Sequence, residues 1–586
     1  MIKTLLKSVG EYKRPSFLAP IMVTIEVIFE VLIPFNIARL VNLLEQGATM
    51  QELIRIGLLI LAMTLLSLVF GALSGNFAAE AATGFGKNLR RDMFTNVQNF
   101  SFGNINKFTS SSLVTRLTTD VSNVQMAYMM FIRAAFRFPV LLIFSAVMAS
   151  VLAGRMALVF LLAAPILAIT LVLIMRAVIP RFKKVFRRYD RLNNTIQENI
   201  KGIRVVKAYV QEAFERERFE QETEGLRKEF TAAERIIALN SPIFEQSINI
   251  VLFFVMTVGS YLVITSQGTT YHVGQMSAMT AYSFQIMNAL MMLSMLFVMF
   301  TISQESARRI VEVLEEVPEM KDADQPIHDV KDGSIRFTNV DFSYDQYSKE
   351  PVEFETKHLD NINLYIESGQ TVGIIGSTGS SKSTLVQMIP RLYDVQSGSV
   401  EVGGVDVRDY DIKSLRDNVS IVLQKNVLFS GTIAENLRWG DEHASDEDIM
   451  EVAKLAQAHD FIMDFENGYD TYIEQGGTNV SGGQRQRISI ARSLLKKPKI
   501  LIMDDSTSAV DTKTDARIRQ GLKDYLPETT KIIIAQRIAS IQDADIILLM
   551  DEGKIQAMGP HEELLKTSPI YEEIYSSQTK VGGLGE

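Results

Sequence analysis

The first half of this 586-residue sequence contains six apolar segments, each long enough to cross a lipid bilayer. The bilayer core offers no water to backbone N–H and C=O groups, so a segment of about 20 apolar residues crosses it as an α-helix. The sequence therefore predicts six transmembrane helices rather than the buried helices of a large soluble protein. They are expected at residues 17–38, 55–79, 130–153, 156–180, 244–265 and 278–301.

Basic residues are distributed unevenly among the segments that connect these helices. Lys and Arg are frequent before the first helix and after the second, fourth and sixth, whereas the other three connections hold few. Cytoplasmic loops of membrane proteins carry such an excess of Lys and Arg. The pattern predicts a multi-pass protein of the cell (cytoplasmic) membrane, with both termini and two long loops, residues 80–129 and 181–243, in the cytoplasm.

The two long loops carry charges at helical spacing and almost no proline, so they are predicted to extend the membrane helices into the cytoplasm. Each has a short break, at Ser101–Phe108 and at about Tyr209–Glu217, where a transverse helix could form. Helices that turn back at such tips are suited to docking onto a second domain. Solvated charged hairpins are the alternative.

The composition as a whole excludes several classes of function. The chain has 59 Lys and Arg against 68 Asp and Glu, a net charge of −9, which argues against nucleic acid as a partner. It has no cysteine, which excludes disulfides and Cys-ligated metal centres. The change from an apolar first half to an ordinary soluble second half predicts a transmembrane domain over 1–314, a linker over 315–333 and a second domain over 334–586.

A glycine- and serine-rich loop follows a short apolar strand in the second half, in the sequence TVGIIGSTGSSKST. Such a loop at a strand-to-helix junction turns its backbone N–H groups toward a phosphate chain. Lys382 would neutralise the β- and γ-phosphates, and the Ser383 hydroxyl would bind Mg²⁺. Ser381 departs from the usual pattern, which has glycine there. The predicted ATP-binding loop consists of Gly376, Ser377, Thr378, Gly379, Ser380, Ser381, Lys382, Ser383 and Thr384.

Further residues of the second half suit the same chemistry. Tyr344 ends a predicted antiparallel strand and could stack on an adenine ring, although a plain strand-end tyrosine is the alternative. Gln424 ends another strand. Asp504 follows four apolar residues, as expected of a buried strand that ends in an Mg²⁺-binding carboxylate. Ser481 stands at the start of a predicted helix with two glycines, where backbone N–H groups form a second anion site.

These motifs resemble, over nearly the full length of the chain, a half-transporter of the ATP-binding cassette (ABC) exporter family. The similarity is carried by the phosphate loop, the signature NVSGGQ, the strand ILIMDD, the loop SAVD that ends at Asp511, and the tail DEGKIQAMGPHEELL. It implies an α-helical six-span transmembrane domain followed by an α/β P-loop nucleotide-binding domain. It also implies that the breaks in the two long loops carry coupling helices.

The resemblance implies ATP and Mg²⁺ as cofactors and a second half-transporter chain as partner, because each ATP lies between one chain's phosphate loop and the other chain's signature. Tyr344 is then the adenine-stacking residue, and Gln424 senses Mg²⁺ and the γ-phosphate. The Mg²⁺ residues are Ser383, Gln424 and Asp504. The signature that faces the partner's ATP consists of Asn479, Val480, Ser481, Gly482, Gly483 and Gln484.

Two departures from the family lie at catalytic positions: Asp505 stands where the family has glutamate, and Gln536 where it has histidine. Aspartate is one methylene shorter, so its carboxylate falls roughly 1.5 Å short of a water that glutamate would polarise. Glutamine does not titrate near neutrality. Loss of a positioned base costs about 10² to 10⁴ in rate. The expected function is therefore a heterodimeric ATP-driven exporter subunit with a weakly catalytic site of its own.

Other functions stay open at this stage: a slow homodimeric exporter, or a nucleotide-gated membrane regulator that transports nothing. An importer fits less well, since importers of this superfamily keep membrane and ATPase domains on separate chains. The segment Asp345–His358 is longer than is usual in the family, without a functional explanation. The membrane domain is expected to contact lipid, and a hydrophobic or cationic small molecule is the expected substrate.

Glu26 and Glu30 lie one turn apart in the first apolar segment. Ionisable groups inside a bilayer are costly and normally face a bundle interior or a wet cavity. The two carboxylates could attract an amphipathic cation in a substrate cavity. They could instead pair with Arg133 or Arg137 and hold helices together, or lie at the membrane surface.

Overall fold

The computed structural model describes residues 1–266, 271–347, 356–505 and 510–582. Its contacts divide the chain into two compact units. The first comprises Met1–Gln98 and Ser110–Glu316, and the second comprises Asn99–Thr109 and Val317–Glu586. The boundary after Glu316 falls inside the predicted linker, and the tip of the first long loop belongs to the second unit.

The first unit is entirely helical in its described residues. Two helices, α3 with 49 residues and α7 with 44, are far longer than a bilayer requires. At 1.5 Å per residue, α3 is about 70 Å long, against a hydrocarbon core of about 30 Å. The helices are α1 (Ile2–Lys7), α2 (Lys13–Glu45), α3 (Met50–Gln98), α4 (Phe102–Phe108, assigned to the second unit), α5 (Ser110–Thr115), α6 (Val121–Ala153), α7 (Leu158–Lys201), α8 (Ile203–Ala208), α9 (Glu212–Ile237), α10 (Asn240–Thr265) and α11 (Val273–Glu315).

Helices long and apolar enough to cross a membrane are found at five of the six predicted places. They are Gly10–Glu45, Met50–Gln98, Ser110–Ala153, Glu212–Thr265 and Val273–Glu315. The fourth predicted segment, 156–180, lies mostly within α7, a continuous helix several of whose side chains are outside the described residues. The predicted helical fold of the membrane domain is confirmed, and α3 and α7 continue well past the predicted spans, to Gln98 and Lys201.

One of the two predicted transverse helices is where the sequence placed it. Helix α4 spans Phe102–Phe108, and Ser101 caps it in a reciprocal pair of hydrogen bonds with Asn104.

The prediction for the second loop was wrong by about half a dozen residues. The short helix is α8, Ile203–Ala208, and the chain turns at Tyr209–Gln211, where Val210 has a φ of +54°. Gly202 ends α7 and so allows the earlier break. Glu212–Glu217, assigned to the transverse helix from sequence, is instead the first part of α9. Glu212 there accepts a hydrogen bond from Lys207 at 2.9 Å.

The second unit is an α/β domain built on two larger sheets and one small one. One sheet has the order β2-β1-β4-β5, the next β12-β11-β3-β10-β9-β6, and a third pairs β7 with β8. The strands are β1 (Ile335–Phe342), β2 (Leu359–Ile366), β3 (Thr371–Gly376), β4 (Ser397–Val402), β5 (Val405–Asp406), β6 (Val419–Val422), β7 (Gly431–Thr432), β8 (Tyr472–Ile473), β9 (Ile500–Asp504), β10 (Thr530–Ile534), β11 (Ile546–Asp551) and β12 (Lys554–Gly559). The helices are α12 (Lys382–Met388), α13 (Ile412–Asn418), α14 (Ile433–Arg438), α15 (Asp446–Leu455), α16 (His459–Met463), α17 (Gly482–Leu495), α18 (Thr512–Tyr525), α19 (His561–Thr567) and α20 (Pro569–Gly582).

The six-stranded sheet positions the functional loops. Strands β11, β3, β10, β9 and β6 run parallel, and only β12 is antiparallel. Their inner residues, such as Ile502 and Ile532, are buried, which is why these strands read as continuous apolar runs. Parallel strands present their carboxyl ends at one edge, where ligands bind in open α/β sheets. The chain leaves β3, β9 and β10 at that edge.

Helix α4 is held in the second unit by an aromatic cluster around Tyr393. The Tyr393 ring lies 6.0 Å from Phe102 and 5.7 Å from Phe342, measured between ring centroids. Asn106 Nδ2 donates to the Tyr393 hydroxyl at 2.9 Å. The Asn104 side chain accepts from Glu319 N and donates to Val317 O. The first loop tip is thus anchored by packing and by hydrogen bonds together.

Replacing Tyr393 should show whether packing or hydrogen bonding contributes more to holding α4 in the second unit. Tyr393→Ala removes a buried ring and leaves a cavity, so it should lower the free energy of unfolding by about 3–5 kcal/mol. Tyr393→Phe keeps the ring and removes one hydrogen bond, and should cost about 1 kcal/mol. Thermal unfolding of the purified chain measures both. Equal losses would show that the hydrogen bond, not the packing, holds α4.

Candidate nucleotide-binding site

The predicted phosphate loop lies between β3 and α12 and is organised by Lys382. Its Nζ donates to Gly376 O at 3.0 Å, Ser377 O at 2.7 Å and Ser380 Oγ at 3.1 Å. Burial lowers the pKa of Lys382, and the Asp504 and Asp505 carboxylates act in the opposite direction. The lysine is therefore a half-buried cation inside its own loop, placed for phosphate oxygens to replace these protein oxygens.

Two positions in the loop have a backbone that suits glycine, one because of space and one because of conformation. A Cβ on Gly376 would lie 2.0 Å from the carbonyl oxygen of Met550, so only glycine fits there. Ser381, which stands where the family has glycine, has a φ of +69° and a ψ of +23°. This left-handed conformation costs a residue with a side chain about 1–2 kcal/mol. The loop thus keeps a backbone suited to glycine at a position occupied by serine.

Two of the three residues predicted to bind Mg²⁺, Ser383 and Asp504, are in contact. Ser383 Oγ donates to Asp504 Oδ1 at 3.0 Å. Burial raises the pKa of Asp504, an effect that the Ser383 hydrogen bond opposes. A hydroxyl and a carboxylate side by side are the hard oxygen ligands that Mg²⁺ takes together with phosphate oxygens and water. Among the described residues there is no cluster of three His, Cys, Asp or Glu side chains that could hold a metal.

The unusual aspartate and the unusual glutamine contact each other. Gln536 Nε2 donates to Asp505 Oδ2 at 2.7 Å, and Gln424 Nε2 donates to the same oxygen at 3.3 Å. Asp505 itself is buried and has a φ of +49°. Its backbone is held by Ile534 O, at 3.1 Å from Asp505 N, and by the Gln486 amide. The candidate base, the switch position and the metal-sensing glutamine therefore form one cluster.

Tyr344 is half-buried beside the loop, directly after β1. Its hydroxyl donates to Gln387 Oε1 at 3.0 Å and lies 3.3 Å from the Thr384 hydroxyl. Its ring packs edge-on against His358 and Tyr393. Burial raises the pKa of the Tyr344 hydroxyl. The structure places Tyr344 against α12, and its stacking on adenine stays a prediction. Most of the long segment Asp345–His358 lies outside the described residues.

The signature residues begin helix α17 in a regular capping arrangement. Ser481 Oγ accepts from Gln484 N at 3.2 Å, and Gln484 Oε1 accepts from Ser481 N at 2.9 Å. Asn479 ties the preceding turn to the strand β8 by donating to Tyr472 O at 2.8 Å. Val480 is buried and Gly482 is exposed. The exposed helix start thus presents backbone N–H groups and the serine hydroxyl on the surface of the unit.

Asp511, the end of the predicted SAVD loop, caps the helix α18. Its side chain accepts from Thr514 N at 3.0 Å, and the hydrogen bonds from Thr514 hold the pKa of Asp511 below its usual value. The residues between Asp505 and Val510 lie outside those described, so the first half of the predicted SAVD loop does too.

One residue that contacts the site could not be found from the sequence. Gln578, in α20, accepts from Ile538 N at 2.8 Å and donates to Gln536 O at 2.9 Å. It therefore holds the backbone on either side of Arg537, next to the switch position. It belongs to no motif, and only the fold of the C-terminal helix against β10 brings it there.

In the first unit, Arg137 pairs with both of the intramembrane glutamates. Its guanidinium contacts Glu26, and it lies 2.8 Å from Glu30 Oε2. A Cβ on Gly71 would lie 3.0 Å from the Glu26 carboxyl carbon, so α3 packs closely against this carboxylate. The structure supports the ion-pair alternative and selects Arg137 over Arg133 as the partner. A substrate cavity at these carboxylates stays a prediction.

Two regions of the chain match known families. Residues 16–290 match the ABC transporter transmembrane region, and residues 359–508 match the family described as ABC transporter. These matches cover the membrane helices as far as α11 and the second unit from β2 to just past β9.

Several proteins are similar over much of the chain. The uncharacterized ABC transporter ATP-binding protein YfiB of Bacillus subtilis (strain 168) is 36% identical over 570 residues, 97% of each chain. The ATP-dependent lipid A-core flippase of Syntrophus aciditrophicus (strain SB) is 36% identical over 403 residues, 67% of this chain and 64% of that protein. A solved structure of a bacterial Atm1-family ABC exporter with ATP bound superimposes with a TM-score of 0.81. It covers 97% of this chain and 99% of the other at 23% identity, which shows a shared fold.

Replacing Ser381 by glycine should relieve the backbone strain in the phosphate loop. The left-handed conformation costs about 1–2 kcal/mol with a side chain, and glycine's greater loss of chain entropy takes back about 0.5–1 kcal/mol. Ser381→Gly should therefore raise the unfolding temperature by about 2 °C. Ser381→Ala, which keeps the Cβ, is the control and should leave it unchanged. A fall in stability for the glycine variant would show that the serine side chain itself supports the loop.

Proposed function

Because the chain belongs to the ABC transporter family, with both its transmembrane region and its ATPase domain, we propose that it is one half of a heterodimeric exporter. ATP binds to its own phosphate loop but is hydrolysed mainly at a second site. That second site is completed by this chain's signature and carries its catalytic residues on the partner chain. ATP hydrolysis coupled to transport is the activity of the family, and the fold is that of its exporters.

The observation that carries the proposal is the Asp505 cluster. The position of the catalytic base is occupied by Asp505, whose side chain is shorter than that of glutamate. One oxygen of the Asp505 carboxylate accepts hydrogen bonds from Gln536 and Gln424. A general base needs a lone pair directed at the attacking water, within about 3 Å. Both neighbours are amides, which cannot take up a proton near neutral pH. The site therefore suits binding of ATP and Mg²⁺ better than hydrolysis.

The intact signature supports an asymmetric pair rather than an inactive one. Ser481 and the start of α17 keep an exposed set of donors for a phosphate, in a 14-residue helix. In a dimer of this family these donors face the partner's ATP. A chain that loses its own base but keeps its signature is suited to complete a competent site on a different chain. A slow homodimer is the alternative within the family.

For the substrate, we propose a hydrophobic or amphipathic small molecule, such as a drug or a lipid. One relative, 36% identical, is named a lipid A-core flippase. The pairing of Glu26 and Glu30 with a single arginine supports a structural role for these carboxylates rather than the binding of a cationic substrate. The basic loops support a cytoplasmic position for both termini and the ATPase domain.

Two substitutions test the asymmetry in the chain purified together with its partner half-transporter. Ser481→Arg places a large cation in the signature and should reduce ATP turnover at least about 100-fold, since it damages the competent site. Asp505→Asn keeps the size of the side chain and should change turnover less than about twofold, because its site contributes little. Both are measured as steady-state ATP hydrolysis.

Glutamine in place of the partner's catalytic glutamate is the matched control and should reproduce the loss seen with Ser481→Arg. The opposite ranking, with Asp505→Asn the more damaging change, would contradict the proposal. So would a stable dimer of this chain alone that hydrolyses ATP at the rate of a two-site exporter.

A further inference from the structure

A cavity of about 740 Å³ lies in the first unit beside the N-terminus. Its walls come from α1, α2, α3, α6 and α11, and are formed almost wholly by apolar side chains. Its volume lies in the range of sites that bind small molecules, about 300–1,000 Å³. The large apolar side chains that line it and are themselves exposed include Ile2, Leu6, Phe17, Phe131, Phe136 and Phe300.

Helix α1 is fixed along one side of this cavity by polar contacts on its inner face. Thr4 Oγ1 donates to Glu315 Oε1 at 2.6 Å, and Ser8 Oγ donates to Asp92 Oδ2 at 2.7 Å. Leu5 is buried on the same side. This anchoring leaves Ile2 and Leu6 at the cavity, 60% and 51% exposed respectively. An apolar face beside a basic one is typical of a helix that lies in a membrane surface.

Basic side chains are frequent on α1 and at the start of α2, two of the elements that supply the cavity walls. Residues 1–17 contain four, against one acid, Glu11. Glu11 accepts a hydrogen bond from Asn88 Nδ2 at 3.1 Å. All four basic residues are exposed, and within the described parts of the chain none takes part in an ion pair: Lys3, Lys7, Lys13 and Arg14. These four residues, called the basic rim below, therefore lie on α1 and on the first turn of α2, whose neighbouring residues Ile2, Leu6 and Phe17 line the cavity.

We propose that this cavity binds an acyl chain of an anionic phospholipid of the cytoplasmic leaflet, with the headgroup phosphate on the basic rim. The apolar walls suit a hydrocarbon chain, and the exposed lysines and arginine suit an anionic headgroup. The Tyr128 hydroxyl, which donates to Ser16 Oγ at 2.8 Å, adds a polar group among the residues that line the cavity. The choice of leaflet rests on the cytoplasmic position proposed above for the N-terminus. The lipid site itself does not depend on the asymmetry of the ATP sites.

Tryptophan fluorescence can test this directly, because the chain has a single tryptophan, Trp439. In a Trp439→Phe background, Phe131→Trp places a reporter in the cavity wall. The full chain, with a partner whose own tryptophans have been replaced by phenylalanine, is reconstituted into phosphatidylcholine vesicles that contain either brominated phosphatidylglycerol or brominated phosphatidylcholine. Quenching of the reporter should reach half its maximum at an about fivefold lower mole fraction of the anionic lipid.

Leu68→Trp is the matched control, since Leu68 lies on α3, is 67% exposed and does not line the cavity. Its quenching should be the same for both lipids. Glutamine at Lys3, Lys7, Lys13 and Arg14 together should remove the preference seen at Phe131→Trp and leave quenching by phosphatidylcholine intact. Equal quenching of the cavity reporter by both lipids would overturn the proposal. Absence of quenching by either lipid would also overturn it, because it would show that protein, such as the partner's helices, fills the cavity.

Discussion

Parallel pairing of β3 with β10, and of β10 with β9, is the constraint on which the nucleotide site depends. The register sets Ile374 beside Ile534, and Ile534 beside Asp504, so three distant stretches of chain end at one edge of the sheet. At or just after these strand ends lie the phosphate loop, the carboxylate predicted to bind Mg²⁺ and the predicted switch position. Strand β11 adds a further restriction, because its Met550 carbonyl leaves no room for a side chain at Gly376.

The two catalytic departures are physically linked in this arrangement. The side chain of Asp505 is one methylene shorter than that of glutamate. Its Oδ2 accepts a hydrogen bond from Gln536 Nε2 at 2.7 Å. A histidine at that position would titrate near neutral pH, whereas the amide is a permanent hydrogen-bond donor. Gln578 holds the backbone of Gln536 from outside the sheet. In the function proposed above, this set of hydrogen bonds suits the site to binding of ATP rather than to its turnover.

Most of this organisation could be predicted from the sequence because it is recorded in local patterns. Local signals of this kind mark the apolar spans, the break at Ser101–Phe108, the helix start at Ser481 and the strand before Asp504. Contacts set by tertiary packing could not be predicted. The charge pattern allowed Arg133 or Arg137 as the partner of Glu26, and only the packing of α6 against α2 selects Arg137. The break in the second loop was misplaced because Gly202 ends a helix whose charge pattern continues beyond it.

The central claim is that the ATP site on this chain binds nucleotide but scarcely hydrolyses it. The most direct measurement is ATP turnover of the heterodimer after the partner's catalytic glutamate has been changed to glutamine, so that only this chain's site can act. The account predicts a very low rate, which Asp505→Glu combined with Gln536→His should raise by about 10² or more. A rate already typical of an active exporter before these two changes would contradict it, as would no increase after them while ATP still binds.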